Sequence, residues 1–208
     1  MLRIGVDSKE RGFAAVGGMP EPWDVPPLPE RGDNCEDVTY AGVGRVISSW
    51  EAVEVQLAHL YTVFIGRPHE HHAIRAYGSP RIFADRLVLV RRAADQYFVS
   101  APDQAVEGDV TELLERVRRY SDRRNEVAHG IVRQMSWVRA LRDRLVSDAV
   151  GKFQYCLVPP HYTFRKFDGQ NQPTYAYTSA ELLTLNERLF WLAQEVSDLR
   201  QRVAPEDE

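Results

Sequence analysis

The sequence predicts a mainly α-helical protein: a four-helix bundle with a small β-hairpin insertion before the last helix and a proline-rich N-terminal arm. Three observations carry this. Apolar residues recur at three- and four-residue spacing in four long segments. Between the third and fourth segments the period drops to two. Helix breakers crowd the first 37 residues. A chain of 208 residues, 44% hydrophobic, can bury one full core. The division is therefore an arm at 1–37 and one bundle domain at 38–208, with the β insertion at about 153–177.

In the arm, Gly17 and Gly18 precede Pro20, Pro22, Pro26, Pro27 and Pro29, a density that excludes a helix; Trp23 and Leu28 are placed to pin it to the core. The first helix carries Val43, Val46, Ile47, Trp50, Val53, Leu57, Leu60, Tyr61 and Phe64, and Gly66 with Pro68 stops it. Ser79-Pro80 reads as an N-cap with a first-turn proline, opening a second helix with Phe83, Leu87, Val90, Ala94 and Tyr97. Asp109 is placed to cap a third, whose stripe is Val110, Leu113, Leu114, Val117, Tyr120, Ala128 and Ile131, with Gly130 ending it. Tyr155, Leu157, Tyr162, Phe164, Phe167, Tyr175 and Tyr177 then alternate with other residues around an Asp168-Gly169 turn, which predicts the hairpin or strand pair. Thr178-Ser179-Ala180-Glu181 is a capping box, and Leu182, Leu185, Leu189, Leu192, Val196, Leu199 and Val203 form the seam of the last helix.

Composition narrows the function classes. Met1 to Gly18 lacks a basic region followed by an apolar run, and no stretch approaches the roughly 18 apolar residues of a membrane span, so the reading is a cytoplasmic protein with no membrane partner. Cys35 and Cys156 lack any Cys-x-x-Cys spacing and read as free thiols. The net charge of −4 argues against coating by nucleic acid. Within 116–144, however, nine arginines face three carboxylates, a local charge of +6 that suits a polyanion.

The chemistry concentrates at Arg124-Asn125-Glu126-Val127-Ala128-His129-Gly130, at the end of the third long helix. At about 100° per residue, Arg124 falls in the middle of the apolar stripe, which calls for an ion pair within the bundle or an interface with another chain. His129 lies on the terminal turn, where the helix carries partial negative charge, and is placed to give up or accept a proton. Metal-free RNA cleavage needs a base for the ribose 2′-hydroxyl, an acid for the leaving oxygen and a cation beside the phosphate. A histidine and an arginine are those types, and Asn125 adds an orienting polar group.

This segment resembles the Arg-polar-x-x-x-His signature of the HEPN superfamily. The members of that family are helical bundles; many are metal-independent ribonucleases of bacterial toxin, defence and RNA-processing systems, and others are non-catalytic. The resemblance implies Arg124 and His129 as catalytic residues, Asn125 as the auxiliary polar residue, and a homodimer whose motifs meet in a cleft. It implies no cofactor and no metal. RNA is the implied partner, with an antitoxin or another protein as a further one. Arg123 stands at a spacing one residue longer that the family also tolerates, and a catalytically silent RNA-binding or protein-interaction module is the alternative.

Arg118, Arg119 and Arg123 lead along the helix towards His129 and are candidate RNA contacts. Tyr162-Thr163-Phe164-Arg165-Lys166-Phe167 interleaves aromatics with cations, suiting either single-stranded RNA or an alternating strand packed on the bundle. His69-Glu70-His71-His72 gathers ligand types but matches no metal motif, and reads as a solvated loop or helix start.

Overall fold

The computed structural model describes residues 21–66, 70–147 and 152–204. Gly17, Gly18, Pro20, Pro68 and His69 lie outside the described residues. The order of elements is α1 (Glu36–Phe64), α2 (Glu70–Gly78), α3 (Phe83–Ser100), α4 (Gln104–His129), β1 (Ile131–Gln134), α5 (Arg139–Arg142), β2 (Tyr155–Val158) and α6 (Ser179–Val203). The protein is thus mainly helical with a two-stranded antiparallel sheet.

α1 is the central element and packs against α2, α3, α4 and α6. Its stripe Val46, Trp50, Val53, Leu57 and Leu60 is fully buried. α6 runs parallel to α1: Gly42 faces Leu182, and one turn or two further on Ser49 Oγ donates to Asn186 Oδ1 at 2.8 Å. A Cβ at Gly42 would stand 2.9 Å from Leu182 Cδ1, so glycine is what allows the two helices to approach there. α4 runs the other way, with Asp109 near its start paired to Arg202 at the end of α6 and Arg116 paired to Glu195. Asp33 joins the helix starts. Its carboxylate accepts from Thr39 Oγ1 of α1 and from the backbone N–H and hydroxyl of Ser179 of α6, while its backbone bridges Tyr155 of β2.

The capping box of α6 is present as the sequence predicts, with Thr178 and Glu181 reciprocating. Other element boundaries differ. α4 begins at Gln104, because Asp103 Oδ1 accepts from the N–H groups of Ala105 and Val106 at 3.1 Å; Asp109 lies inside the helix. Gly108 does not stop it, since one interior glycine costs only about 1 kcal/mol. α3 begins at Phe83 after Ile82, and Ser79 does not cap it. Ser79 Oγ donates instead to Arg75 O at the end of α2, and Pro80 O accepts from Arg86 Nε. α2, with Ala73 and Tyr77 as buried anchors, starts at Glu70, so the His71–His72 segment is the helix start of the two readings, and both histidines are exposed.

The hairpin prediction holds only in part: within 153–177 isolated antiparallel bridges join Leu157 to Tyr177 and Phe167 to Pro173, but the two-stranded sheet is completed from outside that range. β2 pairs with β1, from Ile131↔Val158 to Gln134↔Tyr155, so its partner directly follows the third long helix and lies outside 153–177. The alternation at 162–167 is a turn and a short 3-10 segment, Phe164–Lys166, in which Tyr162 and Phe164 are exposed while Tyr175 and Tyr177 are buried. The Asp168 turn does form: Asp168 Oδ1 accepts from the N–H groups of Gln170 and Gln172. Gly130 is extended, at φ −75° and ψ 164°, a conformation open to any residue. Its role is spatial: a Cβ would stand 2.6 Å from Leu157 Cγ. Trp23 and Leu28 pin the arm, Trp23 to the main core and Leu28 to a second cluster of Met135, Val138, Leu141, Cys156, Val158 and Ala176. Among the described residues no helix is long and apolar enough to cross a membrane.

Candidate functional site

The last two turns of α4 alternate between burial and exposure with the helical period. Glu126 and Val127 are buried, whereas Asn125, Ala128 and His129 are exposed. Ala128 therefore does not belong to the buried stripe, and Ile131 has already left the helix for β1. The two arginines before them sit 100° apart and turn to different sides of the helix.

Arg124 turns towards α1. Its Cζ lies 5.0 Å from the Trp50 ring centroid and its Nη2 3.5 Å from Glu54 Oε1, with 21% of the side chain exposed. The ion pair that its position demanded is thus made within the chain. Glu54, only 8% exposed, also accepts from Trp50 Nε1 at 2.8 Å and from Arg86 of α3. Tyr77 of α2 completes the cluster: burial first, and then the Glu54 charge, push its phenol above the ordinary range. Two guanidinium groups therefore share one carboxylate, and Arg124 Nε is buried without an acceptor. A carboxylate four residues after Trp50 and three before Leu57 is the signal that sequence reasoning passed over; it marks a charge on the apolar stripe of α1 to match the one on α4.

Arg123 turns towards α6 and the insertion. Its Nη1 is 3.0 Å from Glu126 Oε2, with side chains 15% and 6% exposed. Glu126 accepts from the Tyr177 hydroxyl at 2.7 Å and lies 3.7 Å from Lys166 Nζ. Burial raises the Glu126 carboxyl above its ordinary value, although Tyr177, Arg123 and Lys166 all favour the ionised form. Burial likewise raises the Tyr177 phenol, and the Glu126 charge adds to it. Here too two cations face one carboxylate.

Arg118 and Arg119 are exposed on α4, and both reach Glu115, with Arg118 Nη2 at 2.9 Å and Arg119 Nε at 3.4 Å from Oε1. The charge of +6 over 116–144 stops one residue short of this carboxylate. Hydrogen bonding from Arg118 holds the Glu115 carboxyl below its ordinary value. Arg119 Cζ also stands 5.2 Å over the ring of Trp23. Tyr162 and Phe164 offer free aromatic faces, while Lys166 lies 6.0 Å from the Tyr175 ring. Among the described residues no group of three histidine, cysteine or acidic side chains is arranged to hold a metal ion.

The segment at the end of α4 thus brings Arg124, Asn125 and His129 onto one helix end, but in a single chain Arg124 is turned inward and His129 outward. No protein-family model matches the chain, and comparison with curated proteins and with solved structures finds no match.

Proposed function

We propose that the chain is an HEPN-like four-helix module built from α1, α3, α4 and α6, acting as a metal-independent endoribonuclease across a homodimer. One observation carries this reading. The exposed His129 and Asn125 stand on the last turns of a helix whose arginines outnumber the carboxylates that hold them. Glu54 is shared by Arg86 and Arg124, so the cluster keeps one net positive charge that a phosphate could meet.

In this mechanism the imidazole of His129 removes the ribose 2′-hydroxyl proton. The 2′-oxygen then attacks the adjacent phosphorus and the bond to the 5′-oxygen breaks. His129 of a second copy returns a proton to that leaving oxygen. Arg124 stabilises the charge on the phosphoryl oxygens, and the products are a 2′,3′-cyclic phosphate and a free 5′-hydroxyl.

The test is incubation of purified protein with structured and unstructured RNA in EDTA. Cleavage should leave cyclic phosphate ends and fall about 10²–10⁴-fold in His129→Ala and Arg124→Ala, with both variants folded. Arg124→Lys should also be impaired, because an ammonium lacks the two-pronged contact. Light scattering should report a dimer. Activity that persists in His129→Ala, or a protein that is only monomeric, sinks the mechanism. A second reading has its own observation: Arg124 is engaged by Glu54 and Trp50 as a structural arginine would be. A silent RNA-binding or protein-interaction module predicts RNA binding or partner capture without cleavage, and loss of stability rather than of turnover in Arg124→Ala.

A further inference from the structure

Residues 21–27 cross the outer faces of α4 and α6, anchored by Trp23 against the main core and flanked by pockets on both sides. A pocket of about 290 Å³ lies on one side, between Pro22, Val25, Pro26 and Pro27 of the strap and Arg123, Leu185 and Arg188 of the body. A second, of about 360 Å³, lies on the other side, where Trp23 and Asp24 face Arg118, Arg119 and Arg123. Asp24 and Arg123 line both. Most of the strap is exposed; Trp23 and Pro26 are half-buried. The following residues are fastened separately, with Leu28 in the second core cluster and Asp33 bridged to Tyr155, so 21–27 can leave while 28–34 stay.

The contacts of the strap are those a nucleic acid strand would make. The Trp23 ring lies under the Arg119 guanidinium at 5.2 Å and edge-on to Tyr120 at 6.1 Å, where a base would stack. Pro22 O accepts from Arg188 Nη1, as a phosphate oxygen would. Asp24 lines the same two pockets as Arg123, whose Nε is buried without an acceptor. The strap even closes its own turn, with Glu21 N–H donating to Asp24 Oδ2 at 2.7 Å, so it brings two carboxylates to a path bearing Arg118, Arg119, Arg123 and Arg188. Removing it raises the local charge by two and uncovers Arg118, Arg119, Arg123 and Arg188, interspersed with Glu115, Asp122 and Glu126, on a path along α4 towards His129.

We propose that this path is a track for single-stranded RNA and that residues 21–27 are an internal mimic of that strand, which must be displaced before RNA binds. The proposal rests on the RNA-acting reading above and adds to it the route of the strand and the element that blocks it. A strap that occupies the track most of the time lowers apparent affinity by the fraction of strap-free molecules.

The test uses the full chain and a fluorescein-labelled 12-nucleotide 2′-O-methyl oligo(U), which lacks the attacking hydroxyl. In fluorescence anisotropy, the double variant Trp23→Ala/Asp24→Asn should bind about 10-fold more tightly than the parent. Arg123→Gln and Arg188→Gln should bind more weakly, with a reduced dependence on salt. Adding the oligonucleotide to the unmodified parent should speed hydrogen exchange in 21–27, a measurement independent of any variant. Equal binding by parent and double variant, with exchange in 21–27 unchanged, overturns the mimic and leaves the RNA reading standing. No binding by either protein overturns both.

Discussion

Arg123 and Arg124 are neighbours in sequence and each faces a buried carboxylate shared with a second cation, yet Arg124 reaches another helix while Arg123 pairs within α4. Arg124 reaches Glu54 on α1 and shares it with Arg86 of α3, so that pair ties three helices together. Arg123 reaches Glu126 on its own helix, one turn away, and Glu126 gains the rest of its support from Tyr177 and Lys166 in the segment before α6. The first carboxylate is met by partners from other elements and by an indole N–H. The second is desolvated more than its partners compensate, which is why its carboxyl is raised. Similar composition thus gives a tertiary clamp on one side of the helix and, on the other, a local pair whose burial outweighs its partners.

The comparison can be broken first at Glu54. Glu54→Gln keeps an acceptor for Trp50 but leaves Arg86 and Arg124 without a counter-charge in a largely buried place. The expected loss is about 3 kcal/mol, the low end for a broken buried pair because both arginines retain some solvent. Urea denaturation measures it, and a loss below about 1 kcal/mol would mean that Glu54 is no clamp.

On the other side, Tyr177→Phe removes the hydroxyl donor to Glu126 without changing the ring that fills the core. The expected loss is about 1.5 kcal/mol, the lower value for a hydrogen bond to a charged group. No change in stability would show that Arg123 and Lys166 hold Glu126 unaided.

The same contrast explains what the sequence discloses. The stripe of α1, the seam of α6 and the Thr178–Glu181 box depend on residues three or four apart, and they are legible because a helix converts that spacing into one face. The odd position of Arg124 on the apolar stripe is legible for the same reason. The partners of Arg124 are not, since Glu54 stands 70 residues earlier and only the packing of α1 on α4 brings it close. The pairing of β1 with β2 joins Ile131 to Val158, and the four-residue β1 is too short to show a period of its own. α2 hides because two buried anchors, Ala73 and Tyr77, make no stripe. Glu115 escapes a charge count over 116–144 because it lies one residue outside that window, while the helix turn brings it to Arg118 and Arg119.

The smallest expected effect is also the sharpest in form, because it depends on pH. The Glu126 carboxyl is raised above its ordinary 4.5 chiefly by burial. A carboxyl with a raised folded value binds its proton more tightly folded than unfolded, so its contribution is most favourable below about 4.5. That contribution is lost as pH rises from the unfolded value through the folded one, and above the folded value the full desolvation penalty remains. Glu126→Gln cannot titrate. It keeps an acceptor for Tyr177 and stands in for the protonated carboxyl at every pH, so it marks the stability the parent would have if Glu126 never ionised. The melting temperature of the parent minus that of Glu126→Gln, followed from pH 4 to 7, should therefore fall as pH rises and then level off. A difference that stays flat would show that Arg123 and Lys166 compensate the burial completely. A difference that climbs with pH would show that the ion pair outweighs burial, making the Glu126 side a clamp of the same kind as Glu54.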